Sequence, residues 1–258
     1  MSKPLILVAN DDGVFANGIV SLVKAVASLG DVVVVAPDSP QSAMGHAVTI
    51  HDPLRIRKVD FPVDGVEAYS TSGTPVDCVK LAIHEILDRK PDLLVSGINH
   101  GANHSINVIY SGTMSAAVEG ALEGIPSIGF SLLDFSAEAD FTASMHFATL
   151  ITEKALAQGI EKHTCLNVNI PKLPLSEIKG IKICRQAEGN WSEAFDKRQD
   201  PSGHDYFWMR GNFKNPDKGE DTDQWALDHA YVSIVPVQYD LTAYHTIAGL
   251  NQWDWNEK

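Results

Sequence analysis

Two adjacent carboxylates, Asp11 and Asp12, lie in the turn Asn10-Asp11-Asp12-Gly13, directly after the apolar run Leu5-Ile6-Leu7-Val8-Ala9. About 4 Å apart, such a pair repels by roughly 1 to 4 kcal/mol between bulk water and a surface-like environment, and a bound cation removes that cost. Carboxylate oxygens are hard donors that suit Mg²⁺ or Mn²⁺. A polar residue ahead of a helix also caps free N–H groups, so on spacing alone capping and metal binding stay open. A second segment, Pro40 to His46, adds the hydroxyl of Ser42 and an imidazole; taken alone these read as a turn former and a solvated histidine. A third carries Asn99, Asn103, Ser111 and Thr113, with glycines at 97, 101 and 112. Gly112 and the first turn of the helix after it could offer backbone N–H groups to a phosphate. Alone, this loop is better explained as a long loop stabilised by its own Asn side chains. Brought to one crevice, the three segments set a hard cation beside an anion cradle, which is what phosphate hydrolysis requires.

A parallel α/β sheet is the scaffold that would bring them together. Leu5 to Ala9 and Val32 to Ala36 are unbroken apolar runs, the pattern of strands covered on both faces, and between them Ile19, Leu22, Val23, Val26 and Leu29 keep helical spacing up to Gly30. The spacing predicts further strands around Ala47 to Ile50, Val66 to Tyr69, Leu93 to Val95, Ile128 to Ser131 and Leu166 to Ile170. It predicts helices from Pro75, from about Thr113 to Glu123, and from Phe141 to Ala157. In open α/β sheets the ligand crevice lies at the carboxyl ends of the strands, where three of these polar loops begin. Beyond about residue 185 the alternation fades, Gly211 to Glu220 reads as an exposed polar loop, and all five tryptophans occur. We therefore expect a sheet core over about 1–185 and an aromatic-rich extension over about 186–258. The extension would serve subunit contacts or form a second small core.

Composition narrows the classes. The 258 residues carry 20 Lys+Arg against 33 Asp+Glu, a formal net charge of −13, which argues against a nucleic-acid polymer as partner. With 44% hydrophobic and 21% charged residues the chain is ordinary for a soluble globular protein. No apolar stretch is long enough to span a membrane. The three cysteines, Cys78, Cys165 and Cys184, are scattered without CxxC spacing, so a reduced, cytoplasmic protein is expected. The first strand is followed by no glycine-rich dinucleotide fingerprint. The chain also lacks a Walker-type loop, a GxSxG elbow and an HExxH pair.

Taken in order, Asn10-Asp11-Asp12-Gly13, Ala36-Pro37-Asp38 with Gln41-Ser42, Gly73-Thr74-Pro75 and Ser96-Gly97-Ile98-Asn99 begin a recognisable series. Gly101, Asn103, Tyr110-Ser111-Gly112-Thr113, Glu119-Gly120, Asn167-Val168-Asn169-Ile170-Pro171, Asp221-Thr222-Asp223 and Asp240-Leu241-Thr242 continue it. This ordered set resembles the SurE family of metal-dependent 5'/3'-nucleotidases. The resemblance implies a Rossmann-like, mostly parallel α/β sheet flanked by helices, with a C-terminal extension exchanged between subunits of a dimer or tetramer. It implies one divalent ion per subunit, Mg²⁺ or Mn²⁺, held by Asp11, Asp12, Ser42 and Asn99. Asn103 and Ser111-Gly112-Thr113 would lie next to the scissile phosphate. His100 and His104 flank Asn99 and could alter substrate preference or pH dependence.

The expected reaction is hydrolysis of a nucleoside 5'-monophosphate to nucleoside and phosphate, with 3'-monophosphates and short polyphosphate as further candidate substrates. Asp11 or Asp12 would orient a water or accept its proton; an aspartyl-phosphate intermediate is less favoured, because a carboxylate committed to a metal is a poorer nucleophile. Two rival classes are a receiver-like signalling module and a nucleotide- or phosphosugar-binding protein without catalysis. A receiver needs a phosphorylatable Asp at the end of a middle strand, where this chain has Ser96-Gly97-Ile98-Asn99.

Overall fold

The apolar runs become the middle of a nine-stranded sheet in a computed structural model that describes residues 3–255. β1 (Leu5–Ala9) is buried at every residue and pairs in parallel with β2 (Asp31–Pro37) on one side and β5 (Leu93–His100) on the other. Its side chains divide by parity. Ile6 and Val8 pack with Ile19, Leu22 and Val23 of α1 (Asn17–Val26) and with Phe147 and Ile151 of α4 (Thr142–Gln158). Leu5, Leu7 and Ala9 pack with Val79 of α2 (Pro75–Leu81) and Ala116 of α3 (Gly112–Leu122). Both faces are covered by helices, and that is why the strand shows no polar alternation.

The full order is β3-β4-β2-β1-β5-β6-β7-β11-β8, with β3 (Ile56–Val59), β4 (Glu67–Thr71), β6 (Ser127–Leu132), β7 (Thr164–Ile170), β8 (Ile181–Ile183) and β11 (Val232–Gln238). β3 runs antiparallel to β4 and β11 antiparallel to β7; the other pairs are parallel. From β1 the chain builds outward through β2 and β4, then returns to lay β5, β6 and β7 on the opposite side. The order therefore reverses between β1 and β5, and a crevice opens where the loops leaving these two strands diverge.

Three expectations need correction. Ala47 to Ile50 forms no strand. Its backbone is taken up by the capping box of α2: Thr49 N–H donates to the Asp77 carboxylate, and the Ala47 carbonyl accepts from Thr74 Oγ1. Gly211 to Lys214 belongs to a strand, β10 (Asp205–Lys214), which pairs with β9 (Asn190–Gln199) in a ten-residue antiparallel hairpin apart from the main sheet. Lastly, the sheet extends past residue 185, because β11 enters it between β7 and β8. α5 (Asp223–Asp228) precedes β11 and α6 (Tyr244–Leu250) follows it, the latter exposed throughout. Among the described residues no helix is long and apolar enough to cross a membrane. The cysteines are free thiols buried in separate places: Cys78 on the α2 side, Cys165 beneath α3 and Cys184 against β11.

Candidate functional site

The turn after β1 is closed by Asn10, whose Nδ2 donates to the Gly13 carbonyl (2.9 Å) while its Oδ1 accepts from Gly13 N–H (3.3 Å). Gly13 has φ +106°, a conformation that side chains disfavour, so the turn needs glycine there. This geometry presents Asp11 and Asp12 at the β1–β5 reversal. Asp11 is buried, and its Oδ1 accepts the hydroxyl of Thr113 at 2.5 Å. Gly112 lets α3 start this close: a Cβ at that position would lie 2.6 Å from Asp11 Cβ and 2.8 Å from its Oδ2. Asp12 is half-buried and takes a long 3.4 Å bond from the backbone N–H of His100, at the end of β5.

Backbone bonds bring the other loops in. Gln41 N–H donates to the Asp11 carbonyl (2.7 Å) and Gly45 N–H to the Tyr110 carbonyl (3.2 Å), so the Ser42 segment is attached to both the first and the third loop. Asn99 spends its Nδ2 on the carbonyls of Gly101 (2.7 Å) and His100 (3.2 Å), which leaves Oδ1 as its free donor oxygen for a cation. Asp11, Ser42, Asn99, Asn103 and Ser111 line one cleft of about 710 Å³.

Asn103 is held by a buried amide network. Its N–H donates to Asn169 Oδ1 (2.7 Å), its Nδ2 to Ser131 Oγ (2.8 Å), and its carbonyl accepts from Asn167 Nδ2 (2.7 Å). Ser111 caps α3: its Oγ accepts from Met114 N–H at 3.0 Å, so the hydroxyl hydrogen is left to donate elsewhere. Thr113 differs from the sequence expectation in its contacts. It is fully buried, does not line the cleft, and spends its hydroxyl on Asp11.

The electrostatics follow from burial. Burial pushes the Asp11 carboxyl up to about 6; the Thr113 hydroxyl opposes that rise and the Asp12 charge adds to it. Burial also raises Asp12, against the His100 N–H, which favours its charged form. Two acids held in this way are under electrostatic strain that a cation relieves. Among the described residues no group of three or more His, Cys, Asp or Glu could hold a metal ion. Asp11, Ser42 and Asn99 line the cleft, and Asp12, which does not, sits beside it through its bond to the end of β5. Two carboxylates, a hydroxyl and an amide oxygen are an all-oxygen set of the kind that suits a hard divalent ion.

Several cleft residues were not among those singled out for the site. His104, Tyr110, Phe135, Trp191, Phe213 and Gln224 also line it. Of these, His104 drew attention in the sequence as a neighbour of the predicted ligand Asn99, and Tyr110 as part of the Tyr110-Ser111-Gly112-Thr113 motif. Trp191, Phe213 and Gln224 come from the C-terminal third and carry no motif that ties them to the first strand. The amide network had a legible trace: Asn167 and Asn169, two residues apart, put polar side chains on one face of a buried strand.

A family model described as "Survival protein SurE" matches residues 6–193. A protein of Flavobacterium psychrophilum named 5'-nucleotidase SurE is 60% identical over 257 residues, covering 100% of both chains. One of the same name from Bacteroides thetaiotaomicron is 49% identical over 250 residues, covering 96% of this chain and 95% of its own. The crystal structure of the Sure protein from Aquifex aeolicus superposes with a TM-score of 0.84 at 42% identity, covering 96% of this chain and 98% of that one.

Proposed function

Since this chain belongs to the SurE family, we infer that it is a metal-dependent nucleotidase that hydrolyses nucleoside 5'-monophosphates to nucleoside and inorganic phosphate. The observation that carries the reading is the meeting of the Asp11-Asp12 turn with the end of β5 and the start of α3 at the reversal of strand order. Asp11, Asp12, Ser42 and Asn99 would hold one divalent ion, Mg²⁺ or Mn²⁺. Bound there, it supplies Lewis acidity toward a phosphoryl oxygen and toward water.

The chain's own groups divide the remaining work. Asp11 is pinned by Thr113 and serves as the fixed carboxylate. Asp12, more exposed and held among the described residues by the long His100 bond, is free to orient the attacking water and take its proton. The Ser111 hydroxyl, the Gly112 N–H at the start of α3 and the second amide hydrogen of Asn103 stabilise the charge that grows on the phosphoryl oxygens. Phosphate release from nucleoside 5'- and 3'-monophosphates, measured with and without chelator, tests the assignment. Metal-restored release is expected, and full activity after chelation would end the metal-dependent reading.

The receiver alternative is not favoured, because Asn99 stands where a phosphorylatable Asp is needed. The protein is further proposed to form a homo-oligomer through the segment beyond residue 185. Support comes from large apolar side chains exposed on its surface, among them Phe195, Phe207, Trp208 and Met209 of the hairpin and Leu241, Trp253 and Trp255 of the tail. A cytoplasmic location fits three buried, free thiols.

A further inference from the structure

The cleft of about 710 Å³ is far larger than a phosphate group and a cation need, and part of its wall is aromatic. Trp191 and Phe213 are directly opposed across the root of the β9–β10 hairpin, their ring centroids 5.6 Å apart at 70°. Phe213 packs edge-on against His104 at 5.3 Å. The Trp191 indole is fixed by its Nε1–H, which donates to Asn107 Oδ1 at 2.7 Å.

This wall is tied to the phosphate-side loop by buried bonds. Ser105 Oγ donates to the Ala187 (2.8 Å) or the Gly189 (3.1 Å) carbonyl. The Asp223 carboxylate accepts the N–H groups of Ser105 (2.7 Å) and Ala187 (3.0 Å). Gly189 is required for the closeness: a Cβ there would sit 2.3 Å from Phe213 Cζ. None of these bonds involves Asp11, Asp12, Ser42 or Asn99, so the wall is set in position independently of the acid pair.

We propose that Trp191 and Phe213 are specificity-determining residues, giving the cleft its selectivity for phosphate esters that carry a planar heterocycle by packing against the base. The proposal rests on the nucleotidase reading above. Every base has a π-face, so such a wall separates base from no base and discriminates little among bases. Trp191 also has a polar edge already satisfied by Asn107, which leaves its ring faces for packing. The contribution falls on substrate binding rather than on the chemical step, and its signature is therefore a change in KM with kcat held.

The test compares wild type, Trp191→Ala, Trp191→Phe and Phe213→Leu, as full-length chains supplied with Mn²⁺. The substrates are adenosine 5'-monophosphate and ribose 5-phosphate, which keeps the sugar and phosphate but lacks the base. In the alanine and leucine variants the ratio of the two kcat/KM values is expected to fall on the order of tenfold, within the range that base stacking supplies. Most of that fall should come from a higher nucleotide KM, and Trp191→Phe should restore it. An unchanged ratio, whether from no effect or from equal loss on both substrates, overturns the assignment; equal loss with a lowered melting temperature marks the wall as structural. If Trp191→Ala does not fold, Phe213→Leu gives the same readout. Wild type that releases no phosphate from the nucleotide refutes the nucleotidase reading itself, an outcome distinct from failure of the wall.

Discussion

Replacing Asp11 with asparagine should make the metal-free protein more stable and the enzyme inactive. Burial holds the folded-state pKa at about 6, against an ordinary value of 3.8. A group whose pKa is raised on folding favours the folded state fully below its unfolded value, and that advantage is lost as pH rises through the folded value. The ionised carboxylate therefore costs the metal-free fold roughly 3 kcal/mol well above pH 6, from about 2 units at 1.36 kcal/mol each. For a chain of this size that is on the order of 6 to 12 °C in melting temperature. The asparagine side chain would keep an oxygen to accept the Thr113 hydroxyl and would carry no charge. Thermal melts of chelated protein across pH should give a wild-type-minus-variant difference near zero below about pH 4. Between about 4 and 6 it should open, the variant becoming the more stable, and then level off. With Mn²⁺ added, wild type should gain stability while Asp11→Asn gains little, and phosphate release by the variant should drop to the chelated level. A metal-free variant less stable than wild type at about pH 8, or a difference that does not vary with pH, would refute the account of Asp11 as a buried acid waiting for a cation.

Thr113→Val removes the hydroxyl that holds down the Asp11 pKa. Its Mn²⁺ affinity, measured by calorimetry, should fall more near pH 6 than at about pH 8, because a proton competes for Asp11 over a wider range. Gly112→Ala drives a methyl to 2.6 Å from Asp11 Cβ. The strain should cost about 1 to 3 kcal/mol and displace the acid, so metal-stimulated activity is lost in a protein whose circular dichroism stays native. Polar replacement of Phe207, Trp208 and Met209, all exposed on β10, should lower the molar mass seen by light scattering; an unchanged mass would exclude this hairpin from the subunit interface.

The core sheet was legible because its central strands are buried on both faces, so unbroken runs such as Leu5 to Ala9 and Val32 to Ala36 had few other readings. The acid pair was legible because both carboxylates share one turn. What escaped notice depended on partners far away in the chain. Ala47 to Ile50 has strand-like composition, but its backbone groups are claimed by Thr74 and Asp77. The hairpin is exposed on both faces, so Asn190 to Gln199 shows no two-residue hydrophobic period. Thr113 looked like a phosphate contact from its neighbours in sequence, yet its hydroxyl goes to a residue 102 positions earlier. The Trp191–Asn107 bond spans 84 positions and leaves no local trace.

The three thiols offer a way to watch the molecule open. Burial pushes Cys78 and Cys165 up to about 12 and Cys184 to about 11, so each is protonated and shielded in the folded protein. An alkylating reagent must wait for its own region to separate from the sheet. The order in which the three are modified under mild denaturant would reveal which layer comes away first: the α2 side, the packing under α3, or the junction of β11 with the tail.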